Sequence, residues 1–186
     1  MSASILMLKV MLAGVFAIAA ASKASSPRQL TALGSLVQTV TGRGARAGKV
    51  SALVLLVAEA TVALLLVVGD ARPAFAASIV LLAVLTAGLG VAVDRHADQP
   101  CRCFGLSTSP VGARHVVRNV LLMAAAFAGW RLAGSDDTRL LAVGPVVLAT
   151  TAGLVLAALI VLFEDLTAVF GARAPRPGLV ADSPVR

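Results

Sequence analysis

The 186-residue sequence contains no tyrosine and one tryptophan, and aromatic residues make up only 4% of it. Charged residues are also scarce, at 13% against roughly 25% in a soluble domain. So few polar groups cannot cover a water-facing surface, which excludes an ordinary soluble enzyme. A disordered chain combines low hydrophobicity with high charge, whereas 59% of this sequence is hydrophobic. An outer-membrane barrel needs aromatic girdles and alternating strands, and the sequence offers neither. There is no nucleophile elbow, dinucleotide fingerprint or zinc-protease helix. Gly44-Ala45-Arg46-Ala47-Gly48-Lys49-Val50 falls short of a phosphate-binding loop by one residue between its glycines, and Val50 stands where that loop has Ser or Thr.

What is present is long apolar runs, with a mean hydropathy of +0.94. A bilayer core of roughly 30 Å takes about 20 apolar helical residues. Five stretches meet or approach that length, at about 5–22, 50–69, 74–93, 116–132 and 145–163. Ala, Val, Leu and Gly dominate them, which suits close packing in lipid. The sequence therefore predicts an all-α polytopic membrane bundle forming one domain over residues 1–170, followed by a disordered Pro-rich tail over 171–186. Pro73 falls in the first turn of the third span, and Arg118 and Asn119 in the first turn of the fourth. Ser25–Lys49 reads as a basic, mildly amphipathic segment lying along the interface. Ala19-Ala20-Ala21 resembles a leader cleavage site, but no positive charge precedes the run and Lys9 lies inside it, which favours a retained helix.

The net charge of +7 falls between the apolar runs without a dense aromatic-laced basic block, so nucleic acid is not an expected partner. Counted by loop, twelve Lys and Arg residues lie on one side and Arg72, Arg131 and Arg139 on the other. The positive-inside rule then places residues 94–113 on the cytoplasmic side.

That loop carries Pro100-Cys101-Arg102-Cys103-Phe104-Gly105, with both cysteines of the chain. Alternate residues of extended chain lie about 6.6–7 Å apart at Cα, the upper limit for a disulfide, so bridging needs a turn. Pro100 and Gly105 favour one. A small strained ring is readily reduced, and Arg102 and Arg118 favour thiolate, which together suit exchange chemistry. The other readings are two small hydrophobes at the membrane surface, or a metal site made by His96, Cys101, Cys103 and His115.

Glu59 lies inside the second span, where an ionisable group is expensive and needs a partner. Depths of about 21 Å for Lys9 and 15 Å for Glu59, counted from the basic loop, predict a Lys9–Glu59 pair; a protonated Glu59 bonded to a neighbouring helix is the alternative. His115, Arg118 and Asn119 share a helical face at the mouth of the fourth span, suited to a quinone head group, an anionic lipid or a partner peptide. Snorkelling of Arg118 to lipid phosphate is the plainer reading.

The Cys-x-Cys-Phe-Gly string, with Pro110-Val111-Gly112 and Arg118-Asn119 behind it, resembles the methylamine utilisation protein MauE family, part of the DoxX-like group of small membrane proteins. Leu12-Ala13-Gly14-Val15-Phe16 leading to Ser22-Lys23 resembles its opening helix, and Glu59 matches an acidic residue of its second. The resemblance runs from about Leu6 to Gly129, leaving the fifth span and tail as extensions. It implies a four-helix core in the bacterial cytoplasmic membrane with a thiol pair at one mouth. It further implies a part in maturation or disulfide formation of methylamine dehydrogenase, with a thioredoxin-like or exported client as partner and a quinone as possible cofactor. Such a role places the thiols outside the cytoplasm, opposite to the charge count.

Overall fold

The computed structural model describes residues 2–25, 27–42, 44–94, 113–134 and 142–171. Six helices account for nearly all of them: α1 (Ala3–Ala24), α2 (Pro27–Thr41), α3 (Ala45–Val68), α4 (Ala71–Asp94), α5 (Ala113–Ala133) and α6 (Val143–Gly171). All except α2 are long and apolar enough to cross a membrane. Large hydrophobics lie exposed along them, among them Val54, Val57, Leu64 and Val67 of α3 and Leu148, Leu154 and Leu159 of α6. In water such a surface would aggregate; in a bilayer it faces lipid.

The hub is α1, which touches every other helix. Its core residues Leu12, Val15, Phe16 and Ala19 are buried together with Leu66 of α3, Phe75 and Leu82 of α4 and Leu122 and Ala126 of α5. The Ser2 hydroxyl caps its first turn by accepting from the Ile5 amide at 3.4 Å. Only Gly69 and Asp70 separate α3 from α4. The α5 helix starts at Ala113, earlier than its apolar run suggests, so Arg118 and Asn119 belong to its second turn and not its first. The basic segment after α1 is not one surface stretch: it divides into α2, which packs on α3, and the first turn of α3 itself. Gly34 and Gly48 let those two backbones meet, since a Cβ on Gly48 would collide with the Gly34 carbonyl oxygen.

Small residues also seat α6. A Cβ at Gly153 would lie 2.7 Å from the Met7 carbonyl oxygen, and one at Gly14 would lie 2.9 Å from the Ala157 methyl. The pairs 7–153 and 14–157 make α1 and α6 parallel, joined by a small-xxx-small stripe. Gly153→Leu is expected to pry α6 from α1, because the obstacle is backbone and cannot rotate aside. A cysteine cross-link between residues 14 and 157, strong in the parent, should then be lost; its survival would show that the helices accommodate the side chain.

Candidate functional site

Inside this apolar bundle three charges are gathered. The Lys23 ammonium donates to both oxygens of Glu59, at 2.8 and 2.7 Å, and the two side chains are 2% and 0% exposed. Lys23 lies in the last turn of α1, and Glu59 lies about 21 Å along α3 from its start. The charge of Arg118 on α5 acts on both members of the pair. Lys23 pairs directly with Glu59, and with Arg118 nearby the formal charges of the three groups sum to +1.

Asn119 extends the cluster. Its Oδ1 accepts from Arg118 Nη2 at 3.3 Å, which turns the amide nitrogen the other way. That Nδ2 is buried, and no acceptor meets it among the described residues. His115, one turn earlier on the same face of α5, is likewise buried. Among the candidates read from the sequence, Glu59, Arg118 and Asn119 come together, with His115 one turn away. Cys101, Arg102, Cys103 and His96 lie outside the described residues. Only His115 of the four candidate metal ligands is described.

The Lys9–Glu59 pair is not formed. Lys9 instead donates to the Gly69 carbonyl at 2.8 Å, at the opposite end of α3 from the basic loop, with the Asp70 charge nearby. Antiparallel packing explains the exchange. Bringing Lys23 opposite Glu59 carries Lys9, about 21 Å back along α1, towards Gly69, about 15 Å onward along α3, and the long lysine side chain covers the difference. A Lys9–Glu59 contact would require a slip of roughly 20 Å between α1 and α3. Lys9 therefore neutralises the carbonyl end of α3, where a cation is favoured. Lys23 is the residue that reading by depth missed, and a heptad pattern could have found it. Lys9, Phe16 and Lys23 are seven apart, so one stripe of α1 carries both lysines and a core phenylalanine.

The loop bearing the cysteines joins Asp94 of α4 to Ala113 of α5. Its ends are therefore tethered on the side where α1 finishes with Lys23 and α5 begins towards Arg118.

Five membrane-length helices, three of which bring Lys23, Glu59 and Arg118 together, define a polytopic helical membrane protein with an ionic centre inside the bundle. The chain belongs to the methylamine utilisation protein MauE family, which it matches over residues 1–132. The match takes in α1 to α5, and α6 lies beyond it, docked on α1. No curated protein and no solved structure shows significant similarity to the chain.

Proposed function

We propose that this MauE-family membrane protein is a thiol–disulfide redox component acting through Cys101 and Cys103 at the α4–α5 end of the bundle. The observation that carries this reading is the buried Lys23–Glu59 pair, with the half-buried Arg118 near it, on the side where the cysteine loop is tethered. Three charges inside lipid-embedded helices are costly, and ionisable groups at such depth usually serve a function. The excess cation favours thiolate over thiol on groups that approach it, and thiolate is the reactive form. Arg102, between the two thiols in sequence, acts in the same direction.

In the forward sense the dithiol forms the Cys101–Cys103 disulfide, releasing two electrons and two protons to an acceptor. A quinone suits the donor set, because the buried Asn119 Nδ2 has an open hydrogen for a carbonyl oxygen among the described residues. When bound there it would supply a two-electron, two-proton acceptor. Asn119 and His115 would orient that group, and Glu59, ionised against Lys23, would hold the ammonium in place beside them. A thioredoxin-like or exported client would be the thiol donor. The cytoplasmic membrane of a bacterium is the setting this requires, and the methylamine system itself is not needed for it.

Thiol alkylation in intact cells, with permeant and impermeant reagents in turn, tests the proposal. Cys101 and Cys103 are expected to shift between alkylated and protected forms as growth moves between reducing and oxidising conditions. Changing both to Ser should abolish function while leaving membrane insertion intact. Thiols that stay reduced in every condition, or a fully active double variant, would favour a non-enzymatic assembly factor whose loop is a docking surface. Stoichiometric zinc or copper in purified protein would instead favour the metal site.

A further inference from the structure

Away from the charged cluster, α2, α3 and α4 diverge around an apolar cavity of about 380 Å³. Its size falls in the range of small-ligand sites, roughly 300–1,000 Å³. Leu33, Val37 and Thr41 line it from α2, Val50 and Val54 from α3, and Gly88 from α4. Three of these residues form a stripe four apart on α2. The Thr41 hydroxyl donates to the Val37 carbonyl at 2.7 Å, so it makes no polar demand on an occupant. The α3 and α4 walls belong to membrane-length helices, which makes hydrocarbon the medium that reaches this cavity.

The cavity also has a polar end. At Val50 and Ser51 it adjoins a second, more open depression lined by Gly44, Arg46 and Ala47. Arg46 is exposed there, and Lys49, three residues on along α3, is exposed as well. Between Lys23 and Glu59 the sequence contains no Asp or Glu at all, so these cations have no local counter-charge in their own segment. An apolar slot, capped at the basic end of the bundle by an exposed cation and a second three residues on, is complementary to a lipid whose head group is negative.

We propose that the α2–α3–α4 cavity is a binding site for one anionic phospholipid. One acyl chain lies between Val37, Val54 and Gly88, and the phosphate head faces Arg46 and Lys49. Charge complementarity selects the anionic lipid over a zwitterionic one. Basic residues at a bilayer surface attract anionic head groups. The site is independent of the thiol chemistry, and its occupant would tie α2 to the membrane by filling the space beneath it.

The test uses the purified full-length chain in detergent with phosphatidylglycerol and phosphatidylcholine as probes, retention being read by native mass spectrometry. The wild-type protein should retain one phosphatidylglycerol in preference to phosphatidylcholine, by about fivefold for each of the two cations. R46Q/K49Q should bring phosphatidylglycerol down to the level of phosphatidylcholine. Gly88→Phe should abolish retention of both, since Gly88 lines the cavity and a Cβ there meets nothing within 4 Å, leaving room for the ring to fill it. Val84→Phe, on the same wall, gives a second filled cavity should Gly88→Phe fail to fold. Equal retention of the two lipids by the wild-type protein would overturn the proposal. So would undiminished phosphatidylglycerol on a folded, filled variant, or its displacement by an equimolar prenylated quinone.

Discussion

Glu59→Gln is expected to lower the stability of the bundle by about 3 kcal/mol, the low end of what breaking a buried ion pair costs. Glutamine keeps the shape of the side chain, so packing is unchanged. It leaves the Lys23 ammonium, 2% exposed, without its carboxylate partner and still within reach of the Arg118 charge. Lys23→Met should cost less, because Glu59 retains Arg118 as a neighbour. In the double variant Lys23→Met/Glu59→Gln only Arg118 remains charged, and the loss should fall short of the sum of the singles by about 2 kcal/mol. Lys9→Met removes one charged hydrogen bond to Gly69 and no ion pair, which sets its cost at about 1–2 kcal/mol. Unfolding in mixed micelles with increasing dodecyl sulfate measures all four. Additivity of the two cluster variants within about 0.5 kcal/mol would mean the pair does not stabilise the bundle as a unit. The double variant also separates two roles: if it folds yet no longer cycles Cys101 and Cys103, the charges serve chemistry as well as packing.

The contrast between Lys9 and Lys23 shows where reading the sequence succeeds and where it stops. Hydropathy locates every membrane-length helix, because the bilayer imposes both a length and a composition on each span. It also marks Glu59 as needing a partner, since the cost of a charge in lipid does not depend on the fold. Choosing that partner requires the register between α1 and α3, and register is set by packing around Phe16 and Leu66, which hydropathy does not resolve. Depth counted from the basic loop assumed that Lys23 marked the membrane surface. In the structure α1 continues to Ala24, so Lys23 is still within the bundle. The small-residue contacts were similarly hidden. Sixteen glycines stand in the sequence, and nothing local distinguishes Gly129, closed against a ring, from Gly90, which faces open space. The face shared by His115, Arg118 and Asn119 was legible because a helix fixes which residues neighbour one another four apart, whatever it packs against.

That difference between glycines gives the second large effect. A Cβ at Gly129 would lie below 3.0 Å from three ring carbons of Phe75. Phe75 is completely buried near the start of α4, among core residues of α1 and α5, so the ring has no free direction in which to move. Two terms oppose one another in Gly129→Ala. Helix propensity favours alanine by about 1 kcal/mol, while overpacking costs about 1–3 kcal/mol. With an immobile aromatic as the obstacle the second term prevails, and a net loss of about 1–2 kcal/mol is expected. Gly90→Ala has no obstacle within 4 Å and should gain a few tenths of a kcal/mol or more from propensity alone. Phe75→Leu opens space beside residue 129. Adding it to Gly129→Ala should therefore recover part of the loss, although it is destabilising by itself. The consequence reaches the site. Phe75 against Gly129 clasps α4 to α5, and the cation of Arg72 stands 5.5 Å from the Trp130 ring centre one residue further on. That clasp helps set the position of α5, and with it the approach of Arg118 to Glu59. Gly129→Leu, which the core has no room for, should displace α5 and weaken the response to Glu59→Gln, because the Arg118 charge would no longer be held beside the carboxylate. An undiminished Glu59→Gln effect in that background would show that the ion pair holds α5 in place without the clasp.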